Sequence, residues 1–268
     1  MTAQRIDRST LKAQTRSLLG SAQVNPRRFT ALYLLLLLVL DQLPALTTSA
    51  PRPVALFLSI LVKLMAFVLG AGFTLYCMAV RRGQRAEYLT LFDGFSFVGK
   101  IVGLVLLQTL FIYFWSMLFL FPGLIAAYRY RFALLNLCEN PGITAMEALA
   151  LSKRQTFGYK WQLFQLDLSY LGWGVLSLLP NLLLIHRVAQ EHLTPELDPF
   201  TAAAVLNDAL TQIPWGVFLA LALFSLVIRL FYLPNYRCTE LGYYEIAKQT
   251  SNVRPVMPDA PDQLGGWS

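Results

Sequence analysis

The chain has 268 residues and a net charge of +7, with 56% hydrophobic and only 14% charged residues. Soluble domains carry about 25% charged residues, and a globule of this size could not bury the apolar surface that a mean hydropathy of +0.52 implies. The composition therefore excludes a disordered protein, a nucleic-acid-binding module and an ordinary cytosolic enzyme, and it favours a protein embedded in a bilayer.

Residues 1–28 form a basic segment in front of the first apolar stretch. Two stripes recur in this segment at helical spacing, one of cations and one of apolar or small residues: Arg5, Arg8, Lys12 and Arg16, then Leu11, Thr15, Leu18 and Ala22. The pattern predicts a short amphipathic helix over residues 5–19 that lies on the cytoplasmic membrane surface. A solvated helix that holds a protein partner is the alternative.

Residues 29–248 form the predicted membrane domain, which contains six apolar stretches. They run over residues 29–48, 54–80, 97–121, 124–138, 161–185 and 213–233. A helix of about 20 apolar residues crosses the hydrocarbon core of a bilayer. The fourth stretch is the shortest, follows a break at Pro122-Gly123, and contains Arg129 and Arg131. The sequence predicts an all-α, polytopic transmembrane bundle of about six spans with short interfacial helices.

The distribution of Lys and Arg predicts the orientation. If all six stretches cross, sixteen of the 22 Lys and Arg residues fall on one side, two fall on the other and four lie within spans. The positive-inside rule then places both termini and residues 139–160 in the cytoplasm, and the 186–212 loop outside. Without the fourth crossing, Lys153, Arg154 and Lys160 would fall outside, and the bias would be much weaker.

Two further segments lie on the predicted cytoplasmic side. Residues 142–158 combine apolar positions with Lys153 and Arg154, which predicts a helix at the inner surface between spans four and five. Residues 249–268 contain three prolines and a Gly-Gly pair and have little to bury, so we expect a disordered tail.

Ionisable residues within the predicted spans are the candidate functional residues, because a buried charge in a membrane is costly unless it is paired or hydrated. They are Asp41, Lys63, Arg129, Arg131, Asp167 and Arg229. Their depths along the predicted helices suggest an Asp41–Lys63 pair in the outer half and an Asp167–Arg229 pair near the inner face. Arg129 and Arg131 have no evident acidic partner at their depth. We favour structural pairing over a transport path.

Glycines within the spans indicate where helices could approach each other. Gly172 and Gly174 flank Trp173 in the fifth span, and a neighbouring helix is expected to pack closely there. Gly99 and Gly103 form a weaker GxxxG signal in the third span.

Catalytic and metal-binding patterns are missing from the sequence. His186 and His192 are six residues apart, unlike the HExxH spacing of zinc proteases, and no GxSxG, Walker or Rossmann fingerprint occurs. We expect no cofactor and no metal, and we expect the three cysteines to be buried free thiols.

Four motifs occur in a fixed order along most of the chain. They are Asp93-Gly94-Phe95; Pro122-Gly123; Gly158, Lys160, Ser169, Gly172 and Trp173; and Pro234 with Tyr236. In these residues the chain resembles a bacterial integral membrane family known as domain of unknown function 975. The resemblance implies a six-helix protein of the bacterial plasma membrane and carries no activity with it. The chain departs from the usual pattern at Arg129 and Arg131, where small or apolar residues are more typical.

The sequence predicts a non-enzymatic accessory or scaffold component. Its expected partners are anionic lipid headgroups at the cytoplasmic face and an unidentified protein, without nucleic acid. The alternative is a transporter of a small solute or lipid that uses the intramembrane charges, while an intramembrane enzyme is the least favoured interpretation.

Overall fold

The protein is described here from a computed structural model covering residues 4–44, 51–192 and 198–252. This part of the chain contains α-helices and a 3₁₀ segment and no β-strand, which confirms the all-α prediction. In chain order the elements are α1 Arg8–Gly20, α2 Pro26–Gln42, α3 Arg52–Arg81, the 3₁₀ segment Tyr88–Phe97, α4 Val98–Leu118, α5 Leu120–Arg129, α6 Ala133–Glu139, α7 Ala145–Gln155, α8 Lys160–His192, α9 Pro199–Thr211 and α10 Trp215–Asn252.

Four helical stretches within these residues are long and apolar enough to cross a membrane: α3, the 3₁₀ segment continued by α4, α8, and α10. They support the coarser prediction of a membrane protein. α2 has 17 residues and is about 26 Å long at 1.5 Å per residue. The predicted first span continues to residue 48, and its last four residues lie outside the described part of the chain.

The long helices run between two ends of the bundle. At one, here called the polar end, Glu139 at the end of α6 lies 2.5 Å from Arg82 after α3 and 2.6 Å from Lys248 near the end of α10. At the opposite end, here called the apolar end, Trp215 Nε1 at the start of α10 donates to Gln42 Oε1 at the end of α2, at 3.3 Å.

The fourth predicted span is not one helix, which corrects the sequence prediction. The chain is fully extended at Phe119, three residues before the predicted break, and Pro122 lies in the first turn of α5, where proline is tolerated. The return from the apolar end to the polar end is then made by α5 and α6, with a turn over residues 130–132 between them. Arg131 lies in that turn, where acidic side chains of α8 and α10 hold it.

The buried core lies toward the polar end. Its largest fully buried side chains include Phe29, Phe73, Tyr76, Phe132, Leu137, Leu163, Tyr243 and Tyr244. The halves of the long helices that lie toward the apolar end instead expose large hydrophobic side chains, such as Phe57, Leu106, Leu110, Leu182, Leu183 and Phe224. Hydrocarbon is the solvent in which such a surface is stable. The structure therefore combines a packed polar end with a lipid-facing part.

The N-terminal amphipathic helix forms, but its apolar stripe packs on protein. Asp7 caps α1, and Leu11 and Thr15 are buried. The nearest methyl of Leu11 lies 2.8 Å from the position that a Cβ on Gly242 of α10 would occupy. The prediction that this stripe faces lipid is therefore wrong for Leu11, because α10 continues past the membrane-length segment and offers it a surface.

The helix predicted within residues 142–158 is confirmed as α7. It begins with a capping box, in which Thr144 and Glu147 each bond the other's backbone N–H, and Gly158, with a φ of +84°, turns the chain into α8.

After this turn, the helices are longer than the sequence predicted. α8 continues to His192, α9 lies in the predicted outer loop, and α10 includes residues 249–252 of the predicted tail. Residues 253–268 lie outside the described part.

Close helix contacts occur at glycines other than the predicted ones. A Cβ on Gly72 would lie 1.9 Å from the Leu91 carbonyl oxygen, and one on Gly94 would lie 2.6 Å from the Val68 carbonyl oxygen. These two glycines allow the 3₁₀ segment to lie directly on α3. By contrast, a Cβ on Gly172, Gly174, Gly99 or Gly103 would have no neighbour within 4 Å in the described part of the chain. The predicted approach at the fifth span and the GxxxG contact are therefore both wrong.

We expect Gly72→Ala to destabilise the protein, because the new methyl group would overlap the Leu91 carbonyl. Overpacking costs about 1–3 kcal/mol, which a thermal unfolding midpoint of the full chain in detergent can resolve. Gly103→Ala is the matched control, since α4 is open at that position. Equal midpoints for the two variants would contradict the proposed close contact.

Candidate functional site

Arg131 is the centre of a buried charge network at the polar end. Its guanidinium donates two hydrogen bonds to Asp167, at 2.6 and 2.7 Å, and Nε donates to Glu240 at 2.6 Å. Only 13% of the Arg131 side chain and 5% of the Glu240 side chain are exposed. Such bidentate, charge-assisted bonds are among the strongest polar contacts in proteins.

Two tyrosines complete the coordination of Asp167. Tyr128 donates to one carboxylate oxygen at 2.7 Å, and Tyr236 donates to the other at 2.8 Å while it accepts from Arg131 at 2.5 Å. Arg237 donates to the second oxygen of Glu240 at 2.9 Å. Two cations and two anions therefore compensate each other, which is the condition under which buried charges are tolerated.

Local structure explains why these groups meet. Arg131 lies in the turn between α5 and α6. Because the backbone is not helical there, the side chain is not held to the face of a helix, and it extends between α8 and α10. Asp167 lies two turns into α8, and Tyr236 and Glu240 are four residues apart on α10, which places them on one face. The network thus joins three separate parts of the chain at one point.

The structure corrects the predicted pairing of Asp167 with Arg229 and the absence of an acidic partner for Arg131. The predicted depths refer to the ends of the apolar stretches, whereas α10 extends well beyond its apolar stretch. Glu240, which the depth argument did not consider, lies on that extension. A search of the continued helical face beyond Leu233 for acids would have found it.

Asp41 and Lys63 do not form the predicted pair. Both residues are exposed, and among the described residues no contact within 4 Å joins the two side chains. The prediction rested on depth along the helices, and depth does not fix the direction in which a helical side chain points. Asp41 instead lines a cavity of about 320 Å³ together with Asn181 and Arg229.

Arg129 has a different role from Arg131. Its guanidinium lies 5.9 Å from the centre of the Tyr130 ring. Its backbone carbonyl accepts hydrogen bonds from the hydroxyls of Ser152, at 2.9 Å, and Thr156, at 3.1 Å. These bonds attach α7 to the end of α5.

A second polar cluster surrounds Glu139. Tyr244 donates to it at 2.5 Å, and Arg82 and Lys248 form ion pairs with it. Burial alone would raise the pKa of Glu139, but the hydrogen bonds from Lys248 and Tyr244 and the nearby positive charges outweigh it and hold this pKa below its usual value. The cluster ties the end of α6 to the ends of α3 and α10.

The motif residues occupy several places rather than one site. Tyr236 belongs to the Arg131 network, Gly123 packs against Ser116 of α4, and Lys160 begins α8. Ser169, Trp173 and Pro234 line a cleft at the polar end. The remaining motif positions lie in the 3₁₀ segment, in the turn before α8 and on an open face of α8: Asp93, Gly94 and Phe95, then Gly158, then Gly172.

The cysteines are free and buried, as predicted. They are Cys77, Cys138 and Cys238, each on a different helix. Within residues 4–44, 51–192 and 198–252, no three His, Cys, Asp or Glu side chains are grouped as metal ligands would be.

Comparison with known proteins finds a family match over slightly less than half of the chain. Residues 122–251 match the family described as protein of unknown function DUF975, which confirms the resemblance that the sequence indicates. The matched range contains the whole Arg131 network and begins after the Asp93-Gly94-Phe95 motif. No curated protein matches the chain, and no solved structure matches it.

We expect Arg131→Met to lower the stability of the full chain strongly, because it leaves Asp167 and Glu240 buried without their shared cation. Breaking a buried pair in this way costs about 3–5 kcal/mol, measured as a loss of the unfolding midpoint and of monodisperse yield in detergent. Arg129→Met, two residues away and outside the network, is the control. If both variants lose the same stability, the network is not what holds the polar end together.

Proposed function

We propose that this protein is a non-enzymatic accessory or scaffold component of a bacterial plasma membrane, whose basic polar end contacts anionic lipid headgroups or an acidic partner protein. The DUF975 match over residues 122–251 and the four membrane-length helices support this proposal. The function of this family is unknown, so the match by itself favours no particular activity.

One observation carries the proposal: most acids of the polar end are used inside the protein, with the exposed Asp93 as an exception, while many of its cations are not. Glu139, Asp167, Glu240 and Glu245 are all engaged by basic side chains. Three further acids, Asp7, Glu87 and Glu147, are used as helix caps. Several cations of the same end form no ion pair within the described residues, among them Arg5, Arg16, Arg27, Arg28, Lys153, Arg154 and Lys160. A surface of this kind attracts anionic lipid at about 1 kcal/mol per cation.

We further propose six membrane crossings with both termini in the cytoplasm. The chain passes between the polar and apolar ends six times, if α5 and α6 together count as one pass. The positive-inside rule orients such a chain with its basic end in the cytoplasm. The break at residues 130–132 is compatible with a crossing because Arg131 is coordinated by protein there instead of facing lipid.

The alternative, a transporter of a small solute or lipid, has one specific observation in its favour. The cavity shared by Asp41, Asn181 and Arg229 holds both signs of charge among apolar helices, and intramembrane charges mark transport paths in other proteins. Against it, the Arg131 network is fully compensated by its own members, so it offers no unpaired charge to a moving solute.

Orientation can be tested with reporters inserted at Gly142, in the turn between α6 and α7, and at Pro195, between α8 and α9. We expect Gly142 to report from the cytoplasm, because the fourth pass returns the chain to that side before Gly142, and we expect Pro195 to report from outside, because α8 then crosses again. A Gly142 insertion that reports from outside would overturn the six-crossing proposal. An insertion after Gly20 serves as a second cytoplasmic reference.

The scaffold proposal can be tested by mass spectrometry of the lipids and proteins that co-purify with the full chain. We expect enrichment of anionic over zwitterionic lipid, and a decrease of several-fold when Lys153, Arg154 and Lys160 are changed to Gln, because each cation contributes about 1 kcal/mol. Arg187→Gln, at the apolar end, is the control and should change nothing. The proposal would be contradicted if the purified protein showed no enrichment of anionic lipid and also carried no partner protein in stoichiometric amount.

A further inference from the structure

A cleft of about 740 Å³ opens between α1, the start of α2, α8 and α10. We propose that it is a binding site for a single anionic glycerophospholipid, with the phosphate at its cationic rim and an acyl chain along its aromatic wall. This inference deepens the proposed function, since it assigns one specific lipid site at the polar end.

The cationic rim consists of Lys12, Arg16 and Arg27, and none of the described residues that line the cleft is acidic. Lys12 Nζ donates to Ser169 at 2.8 Å and lies 4.1 Å from the centre of the Tyr170 ring. Arg16 and Arg27 are exposed and form no ion pair within the described residues. The rim therefore presents two guanidinium groups with donors to spare, which is the arrangement that recognises a phosphate.

The opposite wall is aromatic and apolar. Trp173 stacks on Tyr232 with ring centres 6.4 Å apart, and Phe231 lies under the Arg27 guanidinium at 5.4 Å. Nearly half of Trp173 and just over half of Phe231 are exposed. Such side chains would be unfavourable in water, and an acyl chain would cover them.

The position of the cleft selects a lipid over a soluble anion or a peptide. Phe231 and Tyr232 lie at the end of the apolar run of α10, which Leu233 closes before Pro234 and the polar extension. Cations and aromatic residues meet at this level of the helix, as headgroup and hydrocarbon meet at a membrane boundary. One amphipathic molecule therefore satisfies both parts of the cleft at once.

The wall also contains a polar atom that the protein itself leaves without a partner. Asn235 lines the cleft, and its Oδ1 is buried and has no hydrogen-bond partner within the described residues. An unpaired buried polar atom is costly. A headgroup hydroxyl, such as one of glycerol, would supply the missing donor once the Asn235 side chain turns toward the cleft.

The test is native mass spectrometry of the full chain in detergent, titrated with phosphatidylglycerol, phosphatidylcholine or free glycerol phosphate. We expect one phosphatidylglycerol to be retained at concentrations where the other two are not. Arg16→Gln with Arg27→Gln should weaken this binding by about tenfold or more, because hydrogen bonds to a charged group are lost. Both side chains are exposed, so the double variant should keep its unfolding midpoint.

Arg28→Gln is the matched control, since Arg28 neighbours Arg27 in sequence but does not line the cleft. Trp173→Ala should weaken retention of phosphatidylglycerol while the preference for it over phosphatidylcholine persists. Equal weakening by Arg28→Gln, equal retention of phosphatidylcholine, or competition by free glycerol phosphate would each overturn the site. If anionic lipid remains enriched but the double variant retains it fully, the site fails while the scaffold proposal stands.

Discussion

The polar end of this protein depends on one guanidinium. Arg131 lies in the only turn between α5 and α6 and binds two carboxylates from helices that are distant in sequence. Desolvating a charge is expensive, so this arrangement is stable only while both partners are present. Arg131 therefore fixes α8 beside α10 at this level, where Tyr170 of α8 packs edge-on against Tyr236 of α10, and a Ser225–Ser177 hydrogen bond joins the same two helices farther toward the apolar end.

This constraint also explains the unequal distribution of packing. Toward the polar end, helices extend past the length that a bilayer requires and bury each other's tyrosines and phenylalanines. Toward the apolar end the same helices separate and expose aliphatic side chains, for which lipid is a sufficient partner. Most acids of the packed part form ion pairs or helix caps inside the protein, so its outer surface keeps an excess of positive charge. Both proposals about lipid follow from this excess.

The sequence predicted the helical class, the membrane-length stretches, the helix α7 and the amphipathic character of α1, because periodicity and composition report these directly. It could not predict which acid meets Arg131, because depth along a helix does not give the direction in which a side chain points, and because the apolar pattern of α10 ends before Glu240. The same limit applies to the glycines: Gly72 and Gly172 look alike in sequence, and only the path of the 3₁₀ segment distinguishes them. The sequence also could not predict the cleft between α1, α8 and α10, because some of its lining residues are more than 150 positions apart and only the folded chain brings them together.

That separation has a consequence for biogenesis. The backbone N–H of Ile6 donates to Gln162, 156 residues later, and Lys12 bonds Ser169 across a similar interval. Because synthesis proceeds from the N-terminus, α1 emerges first and its partners on α8 and α10 emerge last. Apart from its contact with α3, the first helix therefore has no packing partner until nearly the whole chain has been inserted. Its docking is then the closing step of assembly, and the cleft beneath it comes into existence only when the protein is complete.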